Sequence, residues 1–303
     1  MRVAAIDCGT NSIRLLIADV VDDRLEDLER TMRIVRLGEG TDRTGRLSEA
    51  ALGRTFAAVS EYGELISSHQ VDAVRFVATS ASRDAENAAE FQAGVQDRLG
   101  VLPEVITGAE EARLSFDGAT RQLRQDVPGP YLVADIGGGS TELVHGDAEP
   151  DSAASMDVGC VRLTERHFAA DPPSAAQVEA AISDIDSALS VVAESVPLTA
   201  PAQLVGLAGS VTTVAALSLG LPSYDPRAIH GSRVSRDEVD RITAELLRAN
   251  HERRLAYPVM HPGRADVIIG GALVLDRLMR ATAADDVLVS ERDILDGIAW
   301  SLC

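Results

Sequence analysis

The sequence predicts an α/β protein built as two duplicated domains, each a mixed sheet flanked by helices. Three observations carry that reading. The segments AIDCGTNSIRLL (5–16) and VADIGGGSTELV (133–144) share one pattern 128 positions apart: an apolar run, Asp-x-Gly, a small polar turn ending in Ser, and a second apolar run. After each of them, short apolar strands alternate with segments of helical period. The length of 303 residues suits two domains of roughly 100–200 residues better than one.

The elements follow in order. Val3–Ile6, Ile13–Val21 and Thr31–Leu37 read as strands joined by short turns. A helix is expected over Glu49–His69, where Leu52, Phe56, Val59, Leu65 and Ile66 recur at spacings of three and four. Then come a strand (AVRFVATS), a helix over Ala85–Leu99, a strand (VLPEVITG) and a helix (GAEEARLSFDGATRQL). QDVPGP, punctuated by two Pro and a Gly, is the linker candidate. It divides the chain into domains 1–126 and 127–303. The second half restarts with YLVADIGGGSTELVHG, passes through SMDVGCVRLTERH, and opens a helix with the capping box Ser174-x-x-Gln177. AQLVGLAG reads as a strand and SVTTVAALSLG as a helix. Ser235-x-x-Glu238 caps another helix, Arg264–Arg280 is helical, and DVLVS is a last strand. Ser290-x-x-Asp293 opens a final helix over about 290–303, expected to pack back on the first domain.

Composition narrows the function before any motif does. Apolar residues make up 46% of the chain and aromatics 3%, so the cores are expected to be built from Ala, Val, Leu and Ile. All 28 basic residues are Arg; there is no Lys. That excludes a P-loop ending in Gly-Lys-Ser/Thr, a Schiff-base lysine and a kinase strand lysine. Any phosphate is held by Arg, backbone N–H groups or metal. The net charge of −19 speaks against nucleic acid as a partner, and an anionic ligand needs a local exception to it. Cys8, Cys160 and Cys303 are scattered, with no Cys-x-x-Cys, so neither a disulfide framework nor a zinc site is expected. The start MRVAAIDCG reads as a strand, not a signal segment, and no apolar run approaches the roughly 20 residues that span a bilayer. A cytoplasmic protein with no membrane partner is the expectation.

A Gly-rich turn between strands lets N–H groups converge on one point with no Cβ in the way, which makes an anion cradle. Gly9, Thr10, Asn11 and Ser12 form the first turn; Gly137, Gly138, Gly139, Ser140 and Thr141 form the second. Asp7 and Asp135 stand where each strand enters its turn. Two carboxylates facing a phosphate repel it unless Mg2+ sits between them. Arg14 and Glu142 occupy equivalent places, two residues after Ser12 and Ser140. The AGSVTT turn, with Gly209 and Ser210, suits a phosphate or an adenosine. Cys8 to Arg14 has the Cys-x5-Arg spacing of cysteine phosphatases, but the loop runs into a strand instead of a helix N-terminus, so Cys8 reads as a turn residue. Glu110 and Glu111 are neighbours on a helix and point about 100° apart, so only one faces a site. The six histidines have no helical metal spacing, and His230 reads as a loop residue.

With two such hairpins and AGSVTT at 208–213, the chain resembles the sugar kinase, heat-shock chaperone and actin ATPase superfamily. More closely it resembles the exopolyphosphatase / guanosine pentaphosphate phosphatase (Ppx/GppA) family. AIDCGTNSIRLLI, VATSASRDAENA, ITGAEEARLSFDGA, VADIGGGSTELV, DVGCVRLTERH, LAGSVTTVAAL and HGSRVSRDEV carry the resemblance, in order, across about residues 3–240. It implies two actin-like (ribonuclease H-like) domains with the active site in the cleft between them. It implies release of terminal phosphate from inorganic polyphosphate by water, with Mg2+, or Mn2+ in its place. Hydrolysis of guanosine pentaphosphate (pppGpp) at its 5′ end is the alternative; a kinase or a non-catalytic nucleotide-binding module stays open behind both. By the same resemblance Glu111 is the base, Glu142 holds metal or water, Arg83 contacts phosphate, and Asp135, with Asp7, lies at the metal. A homodimer is implied, and so is a preference for short chains, since many members carry a further helical region beyond the position matching Cys303.

Overall fold

The computed structural model describes residues 1–22, 24–199 and 203–303. The chain divides into two units, Met1–Gly118 together with Ile294–Cys303, and Ala119–Asp293. The division falls inside a helix, not in QDVPGP at 125–130, and the C-terminal residues belong to the first unit.

The sheet of the first unit contains β1 (Arg2–Cys8), β2 (Ser12–Val21), β3 (Arg24–Ile34), β4 (Ala73–Ala78) and β5 (Glu104–Val105), in the order β3-β2-β1-β4-β5. β2 runs antiparallel to β1 and β3, whereas β4 is parallel to β1 and to β5. β1 is central and buried from Val3 to Cys8, which is why it reads as an unbroken apolar run. One face of the sheet carries Ala4, Ile6, Cys8, Ile13 and Leu15 into a core with α1 (Glu49–Ser68) and α2 (Ala88–Leu99). Ser48 caps α1 by accepting from Ala51 N–H, and the Tyr62 hydroxyl donates to Ile13 O at 2.9 Å. The other face carries Val3, Ala5, Leu16 and Ala18 against Leu114 of α3 (Gly108–Leu123) and Ile294, Ile298 and Trp300 of the C-terminal helix (Ile294–Trp300). Arg30 of β3 ties that helix to the sheet edge through Asp296, with Nη2 at 2.7 Å from Oδ1.

The second unit repeats the plan. Its strands are β6 (Tyr131–Ile136), β7 (Thr141–Gly146), β8 (Pro150–Met156), β9 (Gln203–Leu207), β10 (Arg233–Ser235) and β11 (Asp286–Val289), in the order β10-β11-β9-β6-β7-β8. β7 is antiparallel to β6 and β8, while β9 is parallel to β6 and β11. β1 and β6 therefore each have an antiparallel meander on one side and a parallel neighbour on the other. Leu132, Ala134, Ile136 and Leu143 point into a core shared with α4 (Cys160–His167), α5 (Ala175–Val192), α6 (Ala208–Ser218), α7 (Arg236–Arg248) and α8 (Ile268–Thr282). The capping box at Ser174 forms both of its bonds, and Ser235 caps α7. Among the described residues, no helix is long and apolar enough to cross a membrane.

Several elements depart from the sequence reading. β3 begins at Arg24 instead of Thr31; it lies at the sheet edge and carries charges that mask its period. Residues 35–37 leave the sheet and turn toward Asn11. AVRFVATS stops being a strand at Ala78, Ser80–Arg83 is a helical turn, and α2 starts at Ala88 instead of Ala85. VLPEVITG supplies only Glu104–Val105, because Pro103 has no N–H for a ladder. SMDVGCVRLTERH provides the end of β8 and all of α4. In AQLVGLAG, Gln203–Leu207 are strand and Ala208–Gly209 already belong to α6; Ala202 lies outside the described residues. Pro262–Arg264 form a 3-10 turn, so α8 starts at Ile268 and not at Arg264. Ser290 makes its own turn with Arg292, donating to its carbonyl and accepting from its N–H, so the final helix starts at Ile294.

Gly297 marks how closely the C-terminal helix approaches α3: a Cβ there would lie 2.0 Å from Leu114 O, a backbone atom that cannot swing aside. Gly297→Ala is therefore expected to destabilise the first unit by about 1–3 kcal/mol, read as a lower melting temperature. An unchanged melting curve would contradict this packing.

Candidate functional site

The duplicated segments fold alike. Gly9 N–H donates to Ser12 O and Gly137 N–H donates to Ser140 O, each at 3.0 Å. Both turns are held by their carbonyls. Val35 and Arg36 N–H donate to Asn11 O, and Gly38 N–H donates to Thr10 O. Cys160 N–H donates to Gly137 O, and Val161 and Arg162 N–H donate to Gly138 O. A trans peptide directs its N–H opposite to its C=O. The N–H groups of Asn11, Ser12, Gly138 and Gly139 thus point away from these donors, which is what an anion cradle needs. The N-terminus of α4 is engaged by the second turn and is not itself the anion holder. Of the hydroxyls expected to help, Thr10 shares a hydrogen bond with Ser80, and Thr141 donates to Val158 O at 2.6 Å. The Thr141 proton is therefore committed within the protein.

Strand register decides the charges. Asp7 stands opposite Arg14 in the β1–β2 ladder, and Asp135 stands opposite Glu142 in the β6–β7 ladder. The first pair neutralises itself: Arg14 Nη2 lies 2.6 Å and Nε 3.0 Å from Asp7 Oδ2. Asp7, expected among the metal ligands, already has that oxygen engaged by a cation. The second pair places two carboxylates side by side at 7% and 1% exposure. Like charges so placed repel unless positive charge, hydrogen-bond donors or a shared proton offset them. Among the described residues, no group of three or more His, Cys, Asp or Glu side chains is gathered for a metal ion. Two hard carboxylate oxygens nonetheless fit Mg2+, which takes one or two carboxylates and completes its shell with water and substrate phosphates.

The adjacent glutamates separate as the helix geometry requires. Arg75 holds Glu110 at 2.7 Å and also binds Glu104. Glu111 is buried, and Arg83 Nη1 donates to its Oε2 at 3.1 Å while also donating to Ile106 O. Arg83 and Glu111 are thus brought together within one unit. Cys8 is fully buried, and its thiol is pushed well above the ordinary range by burial and by the neighbouring Asp7 charge. It is a core residue and no nucleophile.

At the third turn, Ala208 adopts a left-handed φ of 65°, a strained conformation for any residue with a Cβ. Gly209 follows, and the guanidinium of Arg264 occupies the space where a Gly209 Cβ would stand, 1.0 Å from Nη1. Burial chiefly raises the Cys160 thiol pKa, while a Ser210 hydrogen bond and the Arg264 charge oppose the rise. Burial, with Arg264 second, lowers the pKa of His261. Arg264 stands against the candidate turn at Gly209, a placement that the sequence reading missed by taking it as the start of a helix. The signal was HPGR, since Pro-Gly ends a helical pattern before the Arg. Ser155 was also missed. Two cavities of about 270 and 340 Å3 in the second unit are lined by other residues.

Comparison with known proteins gives a consistent picture. The model of the Ppx/GppA phosphatase family matches residues 16–303, a range that begins just after the first turn. Exopolyphosphatase 2 of Mycobacterium tuberculosis is 48% identical over 314 aligned residues, covering 99% of this chain and 98% of that one. Among solved structures, an exopolyphosphatase-like protein superposes with a TM-score of 0.95 at 42% identity, covering 100% of this chain and 98% of that one. The Ppx/GppA family member of Aquifex aeolicus gives a TM-score of 0.84 at 32% identity, with the same coverage.

The contact at Gly209 can be tested directly. Gly209→Ala has to displace the end of a flexible side chain and no backbone, so the fold is expected to survive with a melting temperature near wild type. Binding of inorganic phosphate or pyrophosphate by calorimetry is expected to weaken by about ten- to a hundredfold, the value of one charge-assisted contact. Wild-type affinity in this variant would remove Arg264 from the site.

Proposed function

We propose, from the premise that this chain belongs to the Ppx/GppA phosphatase family, that it removes the terminal phosphate of inorganic polyphosphate by attack of water. The chain is a phosphoanhydride hydrolase, and its residues divide the work as follows. The turns at Gly9–Ser12 and Gly137–Ser140 receive phosphoryl oxygens on their N–H groups. Arg14, Arg83 and Arg264 supply the local positive charge that a chain of net charge −19 otherwise lacks. Glu111 takes a proton from the attacking water. The water oxygen bonds to the terminal phosphorus, the anhydride P–O bond breaks, and its electron pair leaves with the chain shortened by one phosphate. The products are orthophosphate and that shorter chain.

The observation that carries this reading is the unlike pairing of like positions: Asp7 faces Arg14, whereas Asp135 faces Glu142. The first arrangement is complete in itself. The second gathers two acidic residues, a set that suits a divalent cation, and polyphosphate travels with such cations. Asp135 and Glu142 would hold Mg2+ or Mn2+, which when bound lowers the charge of the phosphoryl group under attack. Asp7 is left to Arg14. Arg83 donates to the Glu111 carboxylate and so fixes the orientation of the base.

The test compares orthophosphate release from short polyphosphate, long polyphosphate, pppGpp and ATP with wild type, Glu111→Gln and Glu110→Gln. Wild type is expected to act on polyphosphate ahead of ATP. Glu111→Gln should lose roughly 10²–10⁴-fold in kcat, the contribution of a positioned base, while still binding polyphosphate. Glu110→Gln should keep wild-type turnover. Preference for pppGpp would move the substrate to the nucleotide, and full turnover by Glu111→Gln would remove it as the base.

A further inference from the structure

On the face of the second sheet turned away from Leu132, Ala134 and Leu143, three side chains lie in line across neighbouring strands: Asp135 on β6, Glu142 on β7 and Ser155 on β8. The matching line in the first unit is Asp7, Arg14 and Met32. A thioether is only a weak acceptor, whereas the Ser155 hydroxyl donates to Glu142 Oε1 at 2.7 Å. An ionised carboxylate only accepts, so the shared proton belongs to the serine.

Consider what that bond does. Glu142 is 1% exposed and stands opposite a second buried carboxylate. Repulsion from Asp135 drives the Glu142 side chain to other rotamers, and a three-torsion side chain has several to choose from. One donor on the far side from Asp135 fixes the carboxylate between the two strands. It engages Oε1 and narrows the set of orientations open to the carboxylate. We propose that Ser155 is a positioning residue for Glu142, holding its carboxylate in the orientation that turnover requires. Resting on the role given to Glu142 above, this adds a third strand to the machinery. β8 is the sheet edge, and Ser155 is exposed apart from this contact, so the hydroxyl contributes little to the core.

The experiment uses Ser155→Ala, Ser155→Thr and Glu142→Gln in the full chain, with polyphosphate turnover and with Mn2+ binding to the protein alone followed by electron paramagnetic resonance. Ser155→Ala is expected to keep its melting temperature and KM, and to lose ten- to a hundredfold in kcat and in Mn2+ affinity, the usual cost of removing a hydrogen bond that orients a ligand. Ser155→Thr, which keeps the hydroxyl, is expected to restore most of both. Wild-type kcat and Mn2+ affinity in Ser155→Ala, beside an inactive Glu142→Gln, would overturn the proposal and leave the function intact. Equal loss in Ser155→Ala and Ser155→Thr would also overturn it, since the hydroxyl would not be the cause. A fully active Glu142→Gln would instead remove the role of Glu142 on which the proposal stands.

Discussion

A carboxylate taken out of water has to meet a positive charge, and each half of this chain meets the demand in its own way. Asp7 finds Arg14 directly across the ladder at 2.6 Å. Asp135, at the equivalent place, finds Glu142. The scaffold around the two positions is the same: a central strand, a tight turn closed by a Gly-to-Ser backbone bond, and an antiparallel return. The two like frames thus differ in electrostatic character because the same register position holds Arg14 in one and Glu142 in the other. The first half places an ion pair beside its turn, and the second places two acidic residues at the equivalent register position.

The absence of lysine shapes everything that binds an anion. A guanidinium is planar and directs its donors along fixed lines, so it works only when held. Each relevant Arg is held. Arg14 is fixed by Asp7, Arg83 by Glu111 and Ile106 O, and Arg264 rests in the space left by the missing side chain of Gly209. At physiological salt the field of an exposed charge decays over about 8 Å. Even in a strongly acidic protein, such fixed cations therefore set the potential within a few ångströms of themselves.

What could be read from the sequence was local chemistry. Asp-x-Gly followed by Ser announces a hairpin turn wherever it stands, and both turns form as expected. Helical period alone says that Glu110 and Glu111 face different ways, which they do: one meets Arg75, the other Arg83. What escaped depends on residues distant in the chain. Arg264 stands against the candidate turn only because Gly209 lies beneath it. Ser155 matters only through the register that sets it opposite Glu142, and register between strands is invisible in a single sequence. β3 was shortened because edge position, not period, explains its charged residues. The linker at 125–130 has the right composition for a boundary, yet the contacts divide inside α3, since a helix packed along its length gives no local sign of where one core ends.

The first unit is discontinuous in sequence. Val3, Ala5 and Leu16 are covered on one face by Ile294, Ile298 and Trp300, which follow the whole second unit in the chain. During synthesis that apolar surface stays open while the whole second unit emerges from the ribosome. Closure of that face therefore waits until the second unit has been made, and loss of Ile294–Trp300 would leave α3 to cover it alone.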